Sequence, residues 1–313
     1  MSRNHLPKGT RIKMKYGTII VIDSLINAGS QADIYKAIDV SSKSYCAVKH
    51  LYGNFCNPKD KEKFYKKTDL LVNSKPCHPD LVMGYDITEP DANFNFAYVM
   101  PLLEGYQPIS KVIKAPDKLP LKARLEICRS IAAAFSALHA QNQKLVYGDI
   151  SGSNVLIKKT LKGIDVKIID TENIIPLGLN LGLGGTGLYR APEIMDGSMQ
   201  PDIQSDIHAF AVLCFRILCG GHPLDGAVTR SVPFTTENIL QYFSKHPQFV
   251  FDGATNAPDS ATACFWKKLP KPQQLYFLSV FSQDCLMRRK ERLDTGTFIK
   301  LTAKSIGSLE DLS

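Results

Sequence analysis

The sequence has no apolar run long enough to cross a membrane. Its most apolar stretch, residues 209–221, is interrupted by Arg216 and is shorter than the roughly 20 residues that a membrane-spanning helix requires. The basic N-terminus is not followed by an apolar run with a small-residue cleavage site, so it does not resemble a secretory signal. These absences favour a cytoplasmic protein without stable membrane insertion.

The eight cysteines also lack the spacing of a metal or redox motif. None falls in a C-x-x-C pair, and Cys77-His78 has no second pair of that kind, which argues against structural zinc. We therefore expect reduced, mostly buried thiols. The formal charge is +8, but the lysines are dispersed and are not clustered with interleaved aromatics. This pattern predicts a solvated basic surface without a nucleic-acid partner, although it suits an anionic ligand or an acidic partner.

The 313 residues are enough for about two domains of roughly 150 residues, or for one domain of two lobes. Strand-like alternation dominates residues 16–99, interrupted by a helix predicted at 59–72, and helical periodicity dominates from Leu121 onward. We predict an N-terminal extension at 1–18, a sheet-rich lobe at 19–103, a helical lobe at 104–300 and a tail at 301–313.

Four short motifs carry polar side chains that suit phosphate chemistry. Gly29 lies in a turn of small residues between two strands, and Lys49 interrupts an apolar strand. Asp149 and Asn154 share a polar loop after an alanine-rich helix, and Asp170 ends a short apolar strand. Each motif alone is better explained by an ordinary turn or an outward-facing lysine.

The order and spacing of these motifs are more specific than any one of them. Lys49 follows Gly29 by 20 residues, Asp149 and Asn154 lie in Y-G-D-I-S-G-S-N, Asp170 begins D-T-E, and G-T-G-L-Y-R-A-P-E follows at 185–193. Over about residues 20–295 this series resembles the protein kinase family. The resemblance implies an α+β, bilobal protein kinase-like fold, with a small antiparallel-sheet lobe carrying one helix, a larger helical lobe and the nucleotide between them.

The resemblance also implies an ATP- and Mg²⁺-dependent kinase that acts on Ser or Thr of a protein substrate. Lys49 would hold the α- and β-phosphates, Asn154 and Asp170 would coordinate Mg²⁺, and Asp149 would accept or orient the proton of the substrate hydroxyl. Met100 is expected at the gatekeeper position, with Pro101 and Leu103 binding adenine through backbone groups. The full set of residues expected at the nucleotide is Asn27, Ala28, Gly29, Ser30, Ile34, Ala47, Lys49, Asp69, Met100, Pro101, Leu103 and Leu156.

Three further pairings follow from the resemblance. Asp69, on the helix of the small lobe, is expected to pair with Lys49, with Glu62 lying on roughly the same face of the helix. Asp206 is expected to tie the catalytic loop to a central helix. Glu193 is expected to form a buried ion pair with Arg292.

Several positions depart from the family pattern. Asn27 and Ala32 replace the outer glycines of the phosphate loop, which predicts a stiffer loop and weaker ATP binding. Ser151 replaces the lysine that follows the catalytic aspartate in serine/threonine kinases, which predicts slower turnover. Thr171 and Glu172 replace the Phe-Gly of D-F-G, so the aromatic flip that inactivates many kinases has no counterpart.

The segment that controls many kinases also departs from the pattern. Gly148 replaces the arginine that reads a phosphorylated activation loop, and residues 173–185 contain no Ser, Thr or Tyr. Control by phosphorylation in that segment is therefore excluded, and a regulatory partner is an open possibility. A nucleotide-binding pseudokinase scaffold and a small-molecule kinase on the same fold remain alternatives. ATP turnover separates the scaffold from both enzymes.

Overall fold

The computed structural model describes residues 5–29, 31–52, 58–74, 77–179, 186–231, 235–253 and 255–310. They form two compact units. The first draws on Met1–Pro76, Leu81–Gly105 and Asp170–Glu172, and the second draws on Cys77–Asp80, Tyr106–Ile169 and Asn173–Ser313. The chain therefore passes from the sheet-rich unit to the helical unit at residues 105–106, and three residues after Ile169 return to the first unit.

The first unit is an antiparallel sheet with one long helix. Its elements are β1 Arg11–Lys13, β2 Ile19–Ala28, β3 Ala32–Asp39, β4 Ser44–Leu51, α1 Pro58–Val72, β5 Asp86–Ile87 and β6 Phe96–Pro101. The strands lie in the order β1-β2-β3-β4-β6-β5. On β3, Tyr35 and Ala37 alternate with half-buried neighbours and join an apolar cluster on one face of the sheet. The period-two pattern of the sequence has this physical origin.

The described part of the predicted N-terminal extension belongs to the sheet, which corrects the boundary at residue 18. Strand β1 pairs antiparallel with β2. Met14 is buried in the apolar cluster, and Leu6 and Ile12 pack against it. The backbone N–H of Leu6 also donates a hydrogen bond to the Tyr35 hydroxyl at 3.0 Å. Residues 5–18 thus cover one face of the sheet.

The second unit is mostly helical. Its helices are α2 Ser110–Ile113, α3 Leu121–His139, α4 Pro192–Met195, α5 Ile203–Cys219, α6 Ala227–Arg230, α7 Thr236–Lys245, α8 Ser260–Lys268, α9 Lys271–Val280, α10 Gln283–Leu286 and α11 Thr295–Glu310. Its short strands are β7 Gln107–Pro108, β8 Leu145–Val146, β9 Val155–Thr160, β10 Gly163–Ile168 and β11 Ile175–Pro176. Strands β10, β9 and β7 form one small sheet, and β11 pairs with β8.

Helix α5 lies in the core of the second unit. Apolar residues occupy nearly every position after its first turn, so the helix is buried on all sides. Its start is defined by Asp202, whose carboxylate accepts a hydrogen bond from the backbone N–H of Ser205 at 2.7 Å, and the Ser205 hydroxyl accepts one from the N–H of Asp202 at 2.9 Å. This capping box satisfies two backbone donors at the helix N-terminus.

Two predictions about the second unit are tested directly. The buried ion pair of Glu193 and Arg292 is confirmed. The guanidinium of Arg292 donates to Glu193 Oε1 at 2.6 Å and to Glu193 Oε2 at 2.9 Å. Arg288 adds a third contact, at 2.8 Å to Glu193. The predicted tail at 301–313 is wrong for residues 301–310, because helix α11 continues to Glu310.

In the described part of the chain, all seven cysteines are free thiols, and five of them are buried. No described helix is both long and apolar enough to span a membrane.

The imidazole of His208 on α5 predicts an acid-sensitive core. It is 1 % exposed and packs edge-on against Phe281, and neither ring nitrogen has a hydrogen-bond partner among the described residues. Burial, with the charge of Arg292 as a second cause, holds the pKa of His208 well below its usual value. Because the unfolded chain binds a proton below about pH 6.5 and the folded chain does not, stability falls as pH drops below that value.

The effect can be isolated with His208→Leu. At pH 5.5, we expect the wild type to have lost about 1 kcal/mol of unfolding free energy relative to pH 7.5 through this group alone, and the variant to lack that loss. Denaturant titrations of both proteins at the two pH values measure it. Identical pH dependence in the two proteins would contradict the assignment.

Candidate active site

In the first unit, Lys49 is the centre of a buried charge cluster. It lies on β4 between Ile34 of β3 and Tyr98 of β6, and the residue is 8 % exposed. Its ammonium Nζ binds Asp170 Oδ1 at 2.6 Å and also binds Glu172 Oε1. Burial acts to lower the pKa of Lys49, but the charges of Glu172 and Asp170 outweigh it and raise the pKa. Lys49 is therefore a fixed cation.

Glu172 is the more deeply buried of the two acids. Its second carboxylate oxygen accepts a hydrogen bond from the Tyr98 hydroxyl at 2.7 Å. Burial acts to raise the pKa of this carboxyl, but the charge of Lys49 and the hydrogen bonds from Lys49 and Tyr98 hold it below its usual value. The carboxylate is therefore ionised and paired at neutral pH.

Helix α1 contributes a lysine to this cluster. The ammonium of Lys67 is buried, donates a hydrogen bond to the backbone carbonyl of Glu172 and lies 4.3 Å from the centroid of the Phe64 ring. Burial lowers the pKa of Lys67 to about 7, although the charge of Glu172 opposes the shift. The helix thus presents a lysine where an acid was expected.

The predicted pairing of Asp69 with Lys49 is wrong. The two carboxylate oxygens of Asp69 bind Lys15 at 2.8 Å and the Tyr16 hydroxyl at 2.7 Å. Asp69 lies two residues beyond Lys67, which is about 200° around the helix, so the two side chains leave opposite sides. Glu62 is also bound elsewhere, to Lys66 at 2.7 Å.

The backbone at residues 170–172 places both acids beside Lys49. Asp170 has φ +58°, in the left-handed region that non-glycine residues adopt at a cost. The hydroxyl of Thr171 donates to the carbonyl of Val82 at 2.8 Å and anchors the following turn. The strain at Asp170 is therefore offset by contacts within the same unit.

Most of the residues expected at the nucleotide lie on the strands of this sheet or in the turn after β2. Asn27 and Ala28 end β2, and the backbone N–H of Gly29 donates to the carbonyl of Ala32 at 2.8 Å, which closes the turn. A Cβ at Gly29 would lie 3.0 Å from that carbonyl oxygen, so the turn favours glycine. Ser30 lies outside the described residues.

Strand pairing places the other expected residues of this set. Ala47 pairs with Met100, and Pro101 ends β6 opposite Cys46. Leu103 follows in the connector, and Leu156 lies on β9 of the second unit, opposite Lys167. Contact of these residues with a nucleotide stays a prediction.

In the second unit, Asp149 is held by hydrogen bonds to its carboxylate. Thr186 Oγ1 donates to Asp149 Oδ1 at 2.8 Å, and Asn173 Nδ2 donates to Asp149 Oδ2 at 3.3 Å. The side-chain amide of Asn154 donates to the backbone carbonyl of Asp149 at 2.8 Å. These bonds orient a carboxylate and an amide on one loop, as the spacing of the two residues predicts.

Asp206 supports this loop from α5, and its predicted role is confirmed. Its carboxylate accepts hydrogen bonds from the backbone N–H groups of Tyr147 at 2.7 Å and Gly148 at 2.9 Å, and it lies 3.0 Å from His139 Nε2. Gly148 has φ +75°, which disfavours any side chain at that position. The arginine that the family pattern has there would be strained in this backbone.

Ser151, which stands where the family pattern has a catalytic-loop lysine, does not face solvent in this structure. Ser151 is buried, and its hydroxyl lies 2.7 Å from that of Ser153. A different cation, Arg190, lines the same small pocket as Asp149 and Thr186. Burial lowers the pKa of Arg190, while the charge of Asp149 opposes the shift.

The two candidate metal ligands offer oxygen donors. Asp170 supplies a carboxylate whose side chain is 27 % exposed, and Asn154 supplies an amide oxygen. The described residues contain no cluster of three or more His, Cys, Asp or Glu side chains that could hold a metal ion. Mg²⁺ at phosphate sites is bound by one or two carboxylates together with phosphate oxygens and water, so this donor set fits.

Sequence reasoning missed the roles of Glu172, Lys67 and Tyr98. One signal was available, because a glutamate directly after D-T is an unexpected charge at the end of an apolar strand. The sequence alone does not indicate that Lys67 faces inward, since five lysines lie within residues 59–67.

The fold and the two sets of polar residues define a protein kinase domain, and the chain belongs to the protein kinase domain family. The family model matches residues 20–274. The chain is 27% identical over 226 residues to the serine/threonine-protein kinase PrkC of Bacillus subtilis, covering 72% of this chain and 33% of the relative.

Two further relatives come from other bacteria. The DNA damage-responsive serine/threonine-protein kinase RqkA of Deinococcus radiodurans is 28% identical over 237 residues, covering 72% of this chain and 33% of the relative. The serine/threonine-protein kinase PknA of Mycobacterium tuberculosis is 27% identical over 217 residues, covering 66% of this chain and 49% of the relative. The chain thus matches between a third and a half of the length of these relatives.

Proposed function

We propose that this chain is an ATP- and Mg²⁺-dependent protein kinase that phosphorylates serine or threonine in a protein substrate. The observation that carries the proposal is the buried Lys49 paired with Asp170. An ammonium that can bind phosphates, beside an acid that can bind Mg²⁺, is the arrangement that phosphoryl transfer uses for charge neutralisation. The printed names of the relatives support the choice of serine and threonine.

The proposed roles follow the chemistry of each group. Lys49 would bind the phosphates of ATP, and Asp170 and Asn154 would hold Mg²⁺, which supplies charge neutralisation when bound. Asp149 would accept the proton of the substrate hydroxyl while the new oxygen–phosphorus bond forms and the bond to the leaving ADP breaks. Thr186 would orient Asp149 through its 2.8 Å hydrogen bond. Arg190 is the cation in the Asp149 pocket best suited to the role of the lysine replaced by Ser151.

The test is incubation with labelled ATP and Mg²⁺, with the chain itself and a generic basic protein as acceptors. We expect label on Ser or Thr, and none with Lys49→Met, which lacks the cation. Consumption of ATP without protein labelling would indicate a small-molecule kinase. Nucleotide binding without turnover would indicate a scaffold.

Mass spectrometry of the same reaction tests how the activity is controlled. Residues 173–185 contain no hydroxyl side chain, so autophosphorylation is expected elsewhere, at residues 1–18, 226–236 or 301–313. Phosphatase treatment is expected to leave basal activity essentially unchanged. Protein that becomes inert on dephosphorylation and recovers on rephosphorylation would contradict this expectation.

A further inference from the structure

A groove in the second unit has apolar walls and three lysines at its edges. It lies where α2 and the start of α3 approach the β9–β10 hairpin, and it has a volume of about 530 Å³ and is partly open to solvent. The lysines are Lys111 on α2, Lys118 before α3 and Lys159 on β9. The described residues that line it all belong to one unit, and they include none of the residues assigned above to phosphoryl transfer.

The hairpin separates its charges between its two faces. Ile157 and Lys159 lie two apart on β9, so their side chains share a face, and Ile164 is the cross-strand partner of Lys159. On the other face, Asp165 accepts a hydrogen bond from the Tyr106 hydroxyl and lies 3.3 Å from Lys167. The acid of the hairpin is therefore bound away from the groove, which leaves Lys159 beside apolar side chains.

The lysines of the groove are uncompensated. Lys111, Lys118 and Lys159 are exposed, and none has an ion-pair partner among the described residues. Glu126 is the one acidic residue that lines the groove in the described part of the chain. The three lysines and this acid give the lining a net charge of +2. Lys159 is distant in sequence from Lys111 and Lys118, and the fold brings it to the same groove.

The floor of the groove selects among anionic partners. It is aliphatic, formed by side chains such as Val112, Leu119, Ile157 and Ile164, and none of the described residues that line it is aromatic. Single-stranded nucleic acid is bound on basic grooves that carry aromatic side chains for base stacking. Aliphatic side chains with flanking carboxylates match both the apolar floor and the positive edges.

We propose that this groove is a docking site for an acidic peptide segment with aliphatic anchor residues, carried by a protein partner. The carboxylates of the segment would bind Lys111, Lys118 and Lys159, and its aliphatic side chains would cover Ile157 and Ile164. The site is independent of phosphoryl transfer and does not require the proposed activity.

The test is fluorescence anisotropy with a short labelled peptide in which aspartate and leucine alternate, measured without ATP on the full chain. A peptide with lysine in place of aspartate is the ligand control. We expect K111E/K118E/K159E to weaken binding of the acidic peptide by at least about tenfold, because three attractions become repulsions. The matched protein control is K13E/K267E/K300E, which changes three exposed lysines elsewhere by the same total charge.

The apolar contribution is tested separately by Ile164→Asp, which is expected to weaken binding even in high salt, where the charge contribution is screened. Circular dichroism establishes that each variant is folded. Equal binding of the acidic and basic peptides would overturn the proposal, as would equal losses in the two triple variants. A labelled oligothymidylate that binds more tightly than the peptide, and is released by the groove variant alone, would identify nucleic acid as the occupant and also overturn it. Because no nucleotide is present, the result is independent of whether the chain proves to be a kinase.

Discussion

Asp149→Asn is expected to lower kcat for phosphoryl transfer by about 100- to 10,000-fold, because it removes the group proposed to accept the proton of the substrate hydroxyl. The loss should be confined to chemistry. Asparagine has nearly the same shape, its amide oxygen can still accept the hydrogen bond from Thr186, and its amide nitrogen removes only the acceptor of the longer 3.3 Å bond from Asn173. We therefore expect an unchanged melting temperature and an unchanged affinity for ATP, measured by calorimetry.

The matched control for this substitution is Asp252→Asn. Asp252 is an exposed acid of the same unit, so the change removes the same charge without touching the catalytic loop. Its kcat should equal that of the wild type within about twofold. Full activity of Asp149→Asn would exclude Asp149 as the base. If the melting temperature of Asp149→Asn were lowered, the loss of kcat would instead be explained by weakened hydrogen bonds from Thr186 and Asn173.

Glu172→Gln is expected to lower both stability and turnover. Breaking a buried ion pair costs about 3–5 kcal/mol, because one charge is left without its partner, and here Lys49 would retain only Asp170. Lys49 would then be less firmly held for the phosphates, so we expect at least a tenfold lower kcat/KM for ATP. Urea denaturation and initial rates at varied ATP concentrations measure the two effects.

The pH dependence of the stability loss distinguishes the charge of Glu172 from its shape. The pKa of this carboxyl is lower in the folded protein than in the unfolded chain, so its stabilisation is complete above about pH 4.5 and is lost as pH falls through the folded value. The difference in unfolding free energy between wild type and Glu172→Gln should therefore shrink in acid. A difference that stays constant would indicate altered packing.

Asp69→Asn is the matched control on the helix. Asp69 binds Lys15 and Tyr16 at the surface, so its substitution should change kcat/KM by less than about twofold. If Asp69→Asn lowered turnover more than Glu172→Gln, the assignment of Glu172 as the partner of Lys49 would be wrong.

The sheet and the long helices could be predicted because their burial has a simple period. Alternating burial along β3 and the apolar stretch of α5 are both visible as patterns in the sequence. The order of Lys49, Asp149 and Asp170 then predicted the family, since ordered spacing over many residues is more specific than any one motif. The Glu193–Arg292 pair followed from the same comparison and is confirmed.

The partner of Lys49 could not be predicted, because two facts needed for it are three-dimensional. One is the rotation of α1, which turns Lys67 inward and Asp69 outward. The other is the left-handed backbone at Asp170, which carries the chain back so that Glu172 reaches Lys49. A sequence gives the acids within range but not the direction of each side chain. The groove was hidden for the same reason, since Lys159 is distant in sequence from Lys111 and Lys118.

The strand β1 has a practical consequence for choosing domain limits. The family match begins at residue 20, whereas the folded unit of this chain also includes Leu6, Ile12 and Met14. A fragment cut at the family boundary would leave β2 as an unpaired edge and uncover the apolar cluster that these three residues shield. Unpaired strand edges beside apolar surface promote intermolecular pairing, so such a fragment would tend to aggregate. Shared family boundaries therefore mark what relatives have in common and not where this chain can be truncated.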